Sequence, residues 1–339
     1  MANLGLALME QGQIERARQH FQRALQHNPH QAEVHRHLSY CLHGRDSATA
    51  EQAALACLQQ LSQDANRYHL QFAIGKYKLD RQDSDAADWF CQANQLRSEQ
   101  LQGRWQLPDP AVLLERSRAL LNQNSAGRNH PAAASEADTN AESPRLIFIV
   151  GLPRSGSTLV ETILSQNPNL IDLGEVPYLQ QAIERNTTIE GIRRDYLEAI
   201  RSHLGRAAQS AILTDKNLYN FAHCQILAAA FPQCRILHVH RNPMDNLWST
   251  FTNHFAKGNE WTYNLDQSVA FYHLYRQVMA AHEQAIPGRI YPLNYDQLTR
   301  SPEQELRRLI QHCGFRWDPA YLHPEHSRRQ IHTASVVQA

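Results

Sequence analysis

The chain has 339 residues, 42% of them hydrophobic, which is enough for two or three domains with buried cores. Lys+Arg and Asp+Glu both number 33, so the balance points neither to nucleic acid nor to an anionic membrane surface. No run of about 18 apolar residues and no basic-apolar leader occurs, and the expectation is a soluble, cytoplasmic protein without a membrane span.

The first third carries a repeat. Leu4-Gly5, Leu8, Ala17, Phe21, Ala24 and Pro29 fall at the spacings of the tetratricopeptide unit of roughly 34 residues, in which small residues let two helices cross closely. Gly5 and Ala17 are 12 apart, and Gly75 and Ala87 repeat that spacing; Val34, Leu38, Leu42, Leu55 and Leu58 form a degenerate unit between them. Residues 1–97 thus resemble a tetratricopeptide array whose first unit starts part-way through its first helix, as if an upstream helix were missing. Its concave face has two readings of equal weight: capture of an acceptor peptide or partner protein, and structural packing alone. A further helix is expected from Asp109-Pro110 to about Asn122, since Asp caps well and Pro suits a first turn. Residues 122–144, rich in Ala, Asn, Ser, Asp and Pro, read as a flexible linker. The expected domains are therefore 1–121, all-helical repeats, and 145–339, separated by that linker.

Leu146-Ile147-Phe148-Ile149-Val150 reads as a strand, residues 151–158 as a phosphate loop, and Leu159 to Leu164 as the following helix. In Gly151-Leu152-Pro153-Arg154-Ser155-Gly156-Ser157-Thr158 the glycines are spaced as in the nucleotide-binding loop, but Ser157 takes the place of its lysine. Backbone N–H groups at a helix start can hold a phosphate without that lysine. Ordinary γ-phosphate chemistry is disfavoured by its loss, and Arg154 offers bidentate oxyanion recognition instead. Strands follow at Leu170–Leu173, Ala211–Leu213, Arg235–Val239 and Arg289–Leu293. Helices alternate with them at about 177–186, 189–206, 218–230, 242–256, 264–286 and 302–313. That alternation implies an α/β domain, a mainly parallel sheet covered on both faces, with ligands at the carboxyl ends of its strands. Arg154, Glu175, Lys216 and His240-Arg241 all sit at such ends. His238 and His240 share a strand face and read as a packed pair rather than a metal site; Trp248, Phe251 and Phe255 read as core.

On Pro153-Arg154-Ser155-Gly156-Ser157-Thr158, Gly174-Glu175, Asp215-Lys216-Asn217, Arg241-Asn242-Pro243-Met244-Asp245 with Ser249, Tyr295-Asp296-Gln297-Leu298 and Thr333-Ala334-Ser335, residues 145–338 resemble the sulfotransferases that use 3′-phosphoadenylyl sulfate (PAPS). The likeness is to the tyrosylprotein-type branch and its bacterial fusions with tetratricopeptide repeats. The resemblance implies a P-loop-like, three-layer α/β/α sulfotransferase domain behind a repeat solenoid. It implies that Arg154, Ser155, Gly156, Ser157 and Thr158 hold the 5′-phosphosulfate, that Arg241 and Ser249 hold the 3′-phosphate, and that Tyr295 and Ser335 touch the donor. Glu175 would be the general base and Lys216 would stabilise the leaving bridging oxygen, without a metal. The acceptor would be a hydroxyl, with a protein tyrosine among the candidates, and a homodimer is an option. Leu218 departs from the proline common in the family, and the chain stops where relatives continue into basic residues.

Simpler readings stand beside these. Glu175 could serve only a helix N-terminus, and Lys216 could form a solvated pair with Asp215. The alternative functions are a nucleotide-dependent kinase and a repeat scaffold with an idle second domain. The six cysteines include no C-x-x-C pair, so reduced, mostly buried thiols are expected, and no metal-ligand cluster is apparent.

Overall fold

A computed structural model of the chain describes residues 1–339 except 44–45, 62–63, 102–103, 127–143, 209–210, 256 and 327–339. Two compact units emerge: one comprises Met1–Leu107 with Leu247–Phe271, the other Pro108–Asn246 with Tyr272–Arg329. The first begins with six helices, α1 (Ala2–Glu10), α2 (Ile14–His27), α3 (Ala32–Tyr40), α4 (Asp46–Gln60), α5 (Arg67–Asp80) and α6 (Ala86–Gln100). A side chain at Gly5 would come within 2.7 Å of the Phe21 ring, and one at Gly75 within 3.0 Å of Phe90, which is why both crossings use glycine. Ala17 is fully buried, as its spacing implied. Ala87 is not its counterpart: Ala87 is exposed and Ala86 is buried, because turn bonds from Ala86 N to Asp83 O and Asp88 N to Asp85 O phase α6 one residue earlier. Val34, Leu38 and Leu42 lie in the core of the middle pair, and Leu55 and Leu58 pack against a neighbouring cluster.

The second unit holds α7 (Pro110–Ala126), which runs four residues past the expected end; residues 127–143 of the expected linker lie outside the described residues. The Arg116 guanidinium donates to Ile183 O (3.0 Å) and Asn186 O (2.9 Å), joining α7 to this unit. Strands β1 (Arg145–Gly151), β2 (Leu170–Asp172), β3 (Ile212–Asp215), β4 (Arg235–His240) and β5 (Ile290–Asn294) form one sheet in the order β2-β3-β1-β4-β5. Every pairing is parallel. The helices are α8 (Ser157–Leu164), α9 (Tyr178–Arg185), α10 (Ile189–Leu204), α11 (Cys224–Ala230), α12 (Pro243–Phe251), α13 (Leu265–Ala285), α14 (Tyr295–Arg300) and α15 (Pro302–His312). Alternation along β1 covers both faces: Ile147 and Ile149 join Val160 of α8 and Leu309 of α15, while Phe148 meets Tyr196 of α10 and Phe231. The result is the three-layer α/β/α arrangement. Leu218 is buried at the start of a 3₁₀ turn, Leu218–His223, and packs in the same core. Five of the cysteines are buried thiols and Cys91 is exposed.

Leu247–Phe271 contains the later part of α12 and a 3₁₀ turn, Glu260–Tyr263. Phe251 and Tyr263 lie in one apolar cluster with Tyr68, Phe72, Phe90 and Ala93 of α5 and α6. Phe251 is core as expected, but Trp248 is 42% exposed, its ring edge-on to Phe90 with centroids 6.2 Å apart. The His254 ring stacks on Tyr68 and contacts His69 and Phe72. Arg36 donates to His69 Nδ1 (3.0 Å) and contacts His37 Nε2 (3.3 Å), so both imidazoles must be neutral to receive it. Burial, reinforced by Arg36 and Arg97, pushes His69 and His254 down to about 2 and His37, with Arg36 alone, to about 3.

These groups protonate near 6.5 in the unfolded chain and only far lower in the fold, so their contribution is intact above pH 6.5 and is lost as pH falls below it. Amide exchange in α5, corrected for intrinsic rates, should show weaker protection at pH 5 than at pH 7.5. The pair His69→Gln and His254→Gln should flatten that dependence.

Candidate active site

β1 ends at the carboxyl edge of the sheet and hands the chain to the loop that opens α8. Arg154 adopts φ +66° and Gly156 φ +95°, so two residues of opposite type both take left-handed backbone there. An arginine in this region costs about 1–2 kcal/mol, which the surrounding contacts must hold in place. The Asn246 Nδ2 donates to Pro153 O at 2.9 Å and fixes the peptide before Arg154. Gly156 is required twice: its φ is positive, and a Cβ would come within 2.0 Å of the Tyr295 ring. No side chain caps α8, leaving its first N–H groups to face the loop. Ser155, Ser157 and Thr158 are buried, and Ser155 Oγ has no hydrogen-bond partner among the described residues. Together these donors and the helix dipole suit a tetrahedral oxyanion.

The neighbouring strand ends carry Glu175 and Lys216. Leu173 N donates to Thr214 O and Lys216 N to Gly174 O, both 2.9 Å, so the chain after β2 and the chain after β3 run zipped together. Glu175 and Lys216 are thereby brought to one place, with Lys216 Nζ 2.6 Å from Glu175 Oε1. Lys216 is fully buried, whereas the Glu175 side chain is 56% exposed. Glu161, on the first turns of α8 and also fully buried, has its carboxylate 3.9 Å from the ammonium and accepts from Thr214 Oγ1 at 3.3 Å.

Asp215 is not the solvated partner of Lys216 that adjacency suggested. It is 1% exposed and accepts from Asn217 N (2.9 Å), Asn220 Nδ2 (3.2 Å) and Tyr196 OH (2.9 Å). It therefore shapes the turn that presents Lys216. Burial pushes its carboxyl up to about 7 against those hydrogen bonds.

Arg241 follows β4. Its guanidinium lies over the Tyr295 ring, 5.2 Å from the centroid, with Asp245 and Asp296 each 3.9 Å away. Asp296 also accepts from Asn242 N at 2.7 Å, and Asn242 Oδ1 caps α12 through Met244 N at 2.9 Å. Tyr295 thus touches both the loop glycine and Arg241, and these predicted residues share one neighbourhood. Ser249 lies further along α12, in the part that belongs to the first unit, and Ser335 lies outside the described residues. His238 is packed: it hydrogen-bonds Tyr275 OH, and burial holds it near 3. One group with ligand spacing does exist, contrary to expectation: His323, Glu325 and His326, all exposed, have ligand atoms within 4.8 Å of one another.

Sequence reasoning passed over Glu161, Asn246 and Asp296. Glu161 falls three and four residues after Thr158 and Ser157, a helical spacing that puts it beside the loop. Asp296 adjoins Tyr295 inside a motif already singled out. Gly156→Ala is expected to destabilise the protein by more than about 2 kcal/mol, through the strained φ and the clash together. Adding Tyr295→Ala should recover part of that loss in a denaturant titration; no recovery would mean the ring does not fill the notch.

Comparison with known proteins gives the family. A family model described as the sulfotransferase family matches residues 144–319, just over half of the chain, and a tetratricopeptide repeat model matches residues 1–31. An uncharacterized protein of Aquifex aeolicus is 25% identical over 295 residues, covering 79% of this chain and 37% of that protein. Proteins named omega-hydroxy-beta-dihydromenaquinone-9 sulfotransferase Stf3, from Mycobacterium bovis and Mycobacterium tuberculosis, are 29% identical over 165 residues, 46% of this chain and 40% of theirs. The chain therefore spans about two fifths of the length of these curated relatives. Among solved structures, the sulfotransferase domain of the Synechococcus PCC 7002 olefin synthase is 20% identical with a TM-score of 0.43, over 59% of this chain and 85% of that one. No helix among the described residues is long and apolar enough to cross a membrane. By its family match, its parallel sheet and the loop after β1, the chain belongs to the sulfotransferase family, joined to an N-terminal tetratricopeptide repeat.

Proposed function

We propose that the protein transfers a sulfuryl group from PAPS to an acceptor hydroxyl. The observation that carries this reading is the uncapped start of α8, where the buried Ser155 hydroxyl lacks a partner and the lysine of nucleotide kinases is replaced by Ser157. The phosphosulfate of PAPS would satisfy that hydroxyl and the loop N–H groups, with Arg154 and Thr158 alongside. Arg241 and Ser249 are proposed for the 3′-phosphate, and Tyr295 and Ser335 for further donor contact.

Transfer forms a bond from the acceptor oxygen to sulfur and breaks the bond from sulfur to the bridging oxygen. Glu175 takes the acceptor proton, and Lys216 offsets the charge that builds on the bridging oxygen as adenosine 3′,5′-bisphosphate leaves. What supports the assignment is that both groups lie at one point of the strand edge, 2.6 Å apart. Before donor enters, each neutralises the other; donor binding then draws Lys216 away and frees Glu175. The exposed Glu175 carboxylate is open to an acceptor, and a protein tyrosine and a hydroxylated quinone, the acceptor type in the name of the mycobacterial relatives, are the two classes to compare.

Saturable binding of adenosine 3′,5′-bisphosphate that is insensitive to chelator is expected, with preference over ATP and magnesium; the reverse preference would sink the sulfotransferase reading in favour of a kinase. Glu175→Gln should lower kcat by about 30- to 1000-fold, about 2–4 kcal/mol in the barrier, while bisphosphate affinity stays nearly constant. Lys216→Met should cost a similar amount, measured by radiolabelled sulfate transfer.

A further inference from the structure

More than half of the Glu175 side chain is exposed, so its place depends chiefly on the backbone that carries it. That backbone bends at Gly174, whose φ of +69° is open to glycine without strain and leaves the next residue free to swing. The turn after β3 holds the chain on both sides of Glu175. Before it, Gly174 O accepts from Lys216 N at 2.9 Å; after it, Val176 O accepts from Asn217 Nδ2, also at 2.9 Å. Asn217 stands at the N-cap of the 3₁₀ turn Leu218–His223, where an asparagine ordinarily caps its own helix through its side chain. Here it makes no such cap, and its amide reaches across to the neighbouring segment instead. Its main chain is fixed independently: Asn217 N donates to Asp215 Oδ1 at 2.9 Å, and Asn217 O accepts from Asn220 N at 3.0 Å. Asp215 is in turn held by Tyr196 OH at 2.9 Å and Asn220 Nδ2 at 3.2 Å. Every one of these groups lies within Pro108–Asn246, inside the sheet-containing unit.

We propose that Asn217 is a positioning residue for the general base, its amide fixing the peptide after Glu175 so that the carboxylate keeps its place at the strand edge. This rests on the reading of Glu175 given above. Asn217 acts through Glu175 and not on the reacting atoms. Without its amide, Glu175 is tethered from one side only, at the glycine bend, and its carboxylate loses a fixed distance to the acceptor oxygen. A displacement of about 1 Å in a reacting group can cost about 100-fold in rate.

The test uses the full chain and radiolabelled PAPS with water as the acceptor. The water oxygen bonds to sulfur, its proton passes to Glu175, and the bridging oxygen leaves with adenosine 3′,5′-bisphosphate. Free sulfate is counted, and the rate is taken per bisphosphate-binding site so that any misfolded fraction drops out. Asn217→Leu, similar in volume but without a donor, should lower kcat about 10- to 100-fold and leave bisphosphate affinity within about twofold. Asn217→Gln, which keeps an amide on a longer arm, should recover part of the loss. In a Glu175→Gln background the same Asn217→Leu change should cost less than about twofold, because a residue that acts through Glu175 has nothing left to place. Asn217→Ser, with its shorter side chain, takes the place of Asn217→Leu should that variant fail to fold. Equal losses in the two backgrounds, or an unchanged kcat in the folded variant, overturn the positioning role alone. Full sulfate release by Glu175→Gln overturns the reading of Glu175 as the base and this inference with it.

Discussion

A fully buried ammonium, that of Lys216, organises the catalytic half of the molecule. Taking such a charge out of water costs several kcal/mol unless opposite charges surround it. Glu175 at 2.6 Å and Glu161 at 3.9 Å supply them from two different elements. This is possible only because β3 lies between β2 and β1 in the sheet, which brings the chain after β2, the end of β3 and the start of α8 to one edge. The strand order is therefore as much a part of the site as the side chains.

The second organising feature is the ring of Tyr295, which fills the notch left by Gly156 and carries Arg241 on its surface. Asp296, next in sequence, holds both Asn242 N and the Arg241 side chain. A single short helix, α14, thus ties the loop after β1 to the residue after β4. Packing and hydrogen bonding at this point need no long-range electrostatics: the contacts are close and each partner is a neighbour of a strand end.

How much of this was legible depended on the range of the interaction concerned. The strands could be read because parallel strands buried on both faces are continuous apolar runs, as Leu146 to Val150 is. The loop could be read because its glycine and serine spacing is local. Glu175 and Lys216 could be placed after the second and third strands, but their contact could not, since it needs the zipper between Leu173, Gly174, Thr214 and Lys216. The simpler reading of Asp215 as a solvated partner of Lys216 fails because the fold brings in Tyr196 from α10, while Asn217 and Asn220 just downstream also bond the carboxylate. The Ala86 phase of α6 escaped because a tight turn shifts the helix without altering the apolar pattern. That Leu247–Phe271 belongs with the repeats had no sequence signal at all, because periodicity reports a helix face and not its owner.

That interleaving has a consequence for synthesis. The repeat helices are made before the sheet, yet the side chain of Asn94 in α6 donates to Phe251 O, a carbonyl made 157 residues later. By then β1 to β4 have already been translated, so four of the five strands can begin pairing while the earlier unit still lacks its last piece. During that interval the aromatic faces of α5 and α6, which Phe251 and Tyr263 cover in the finished fold, stand open in the nascent chain.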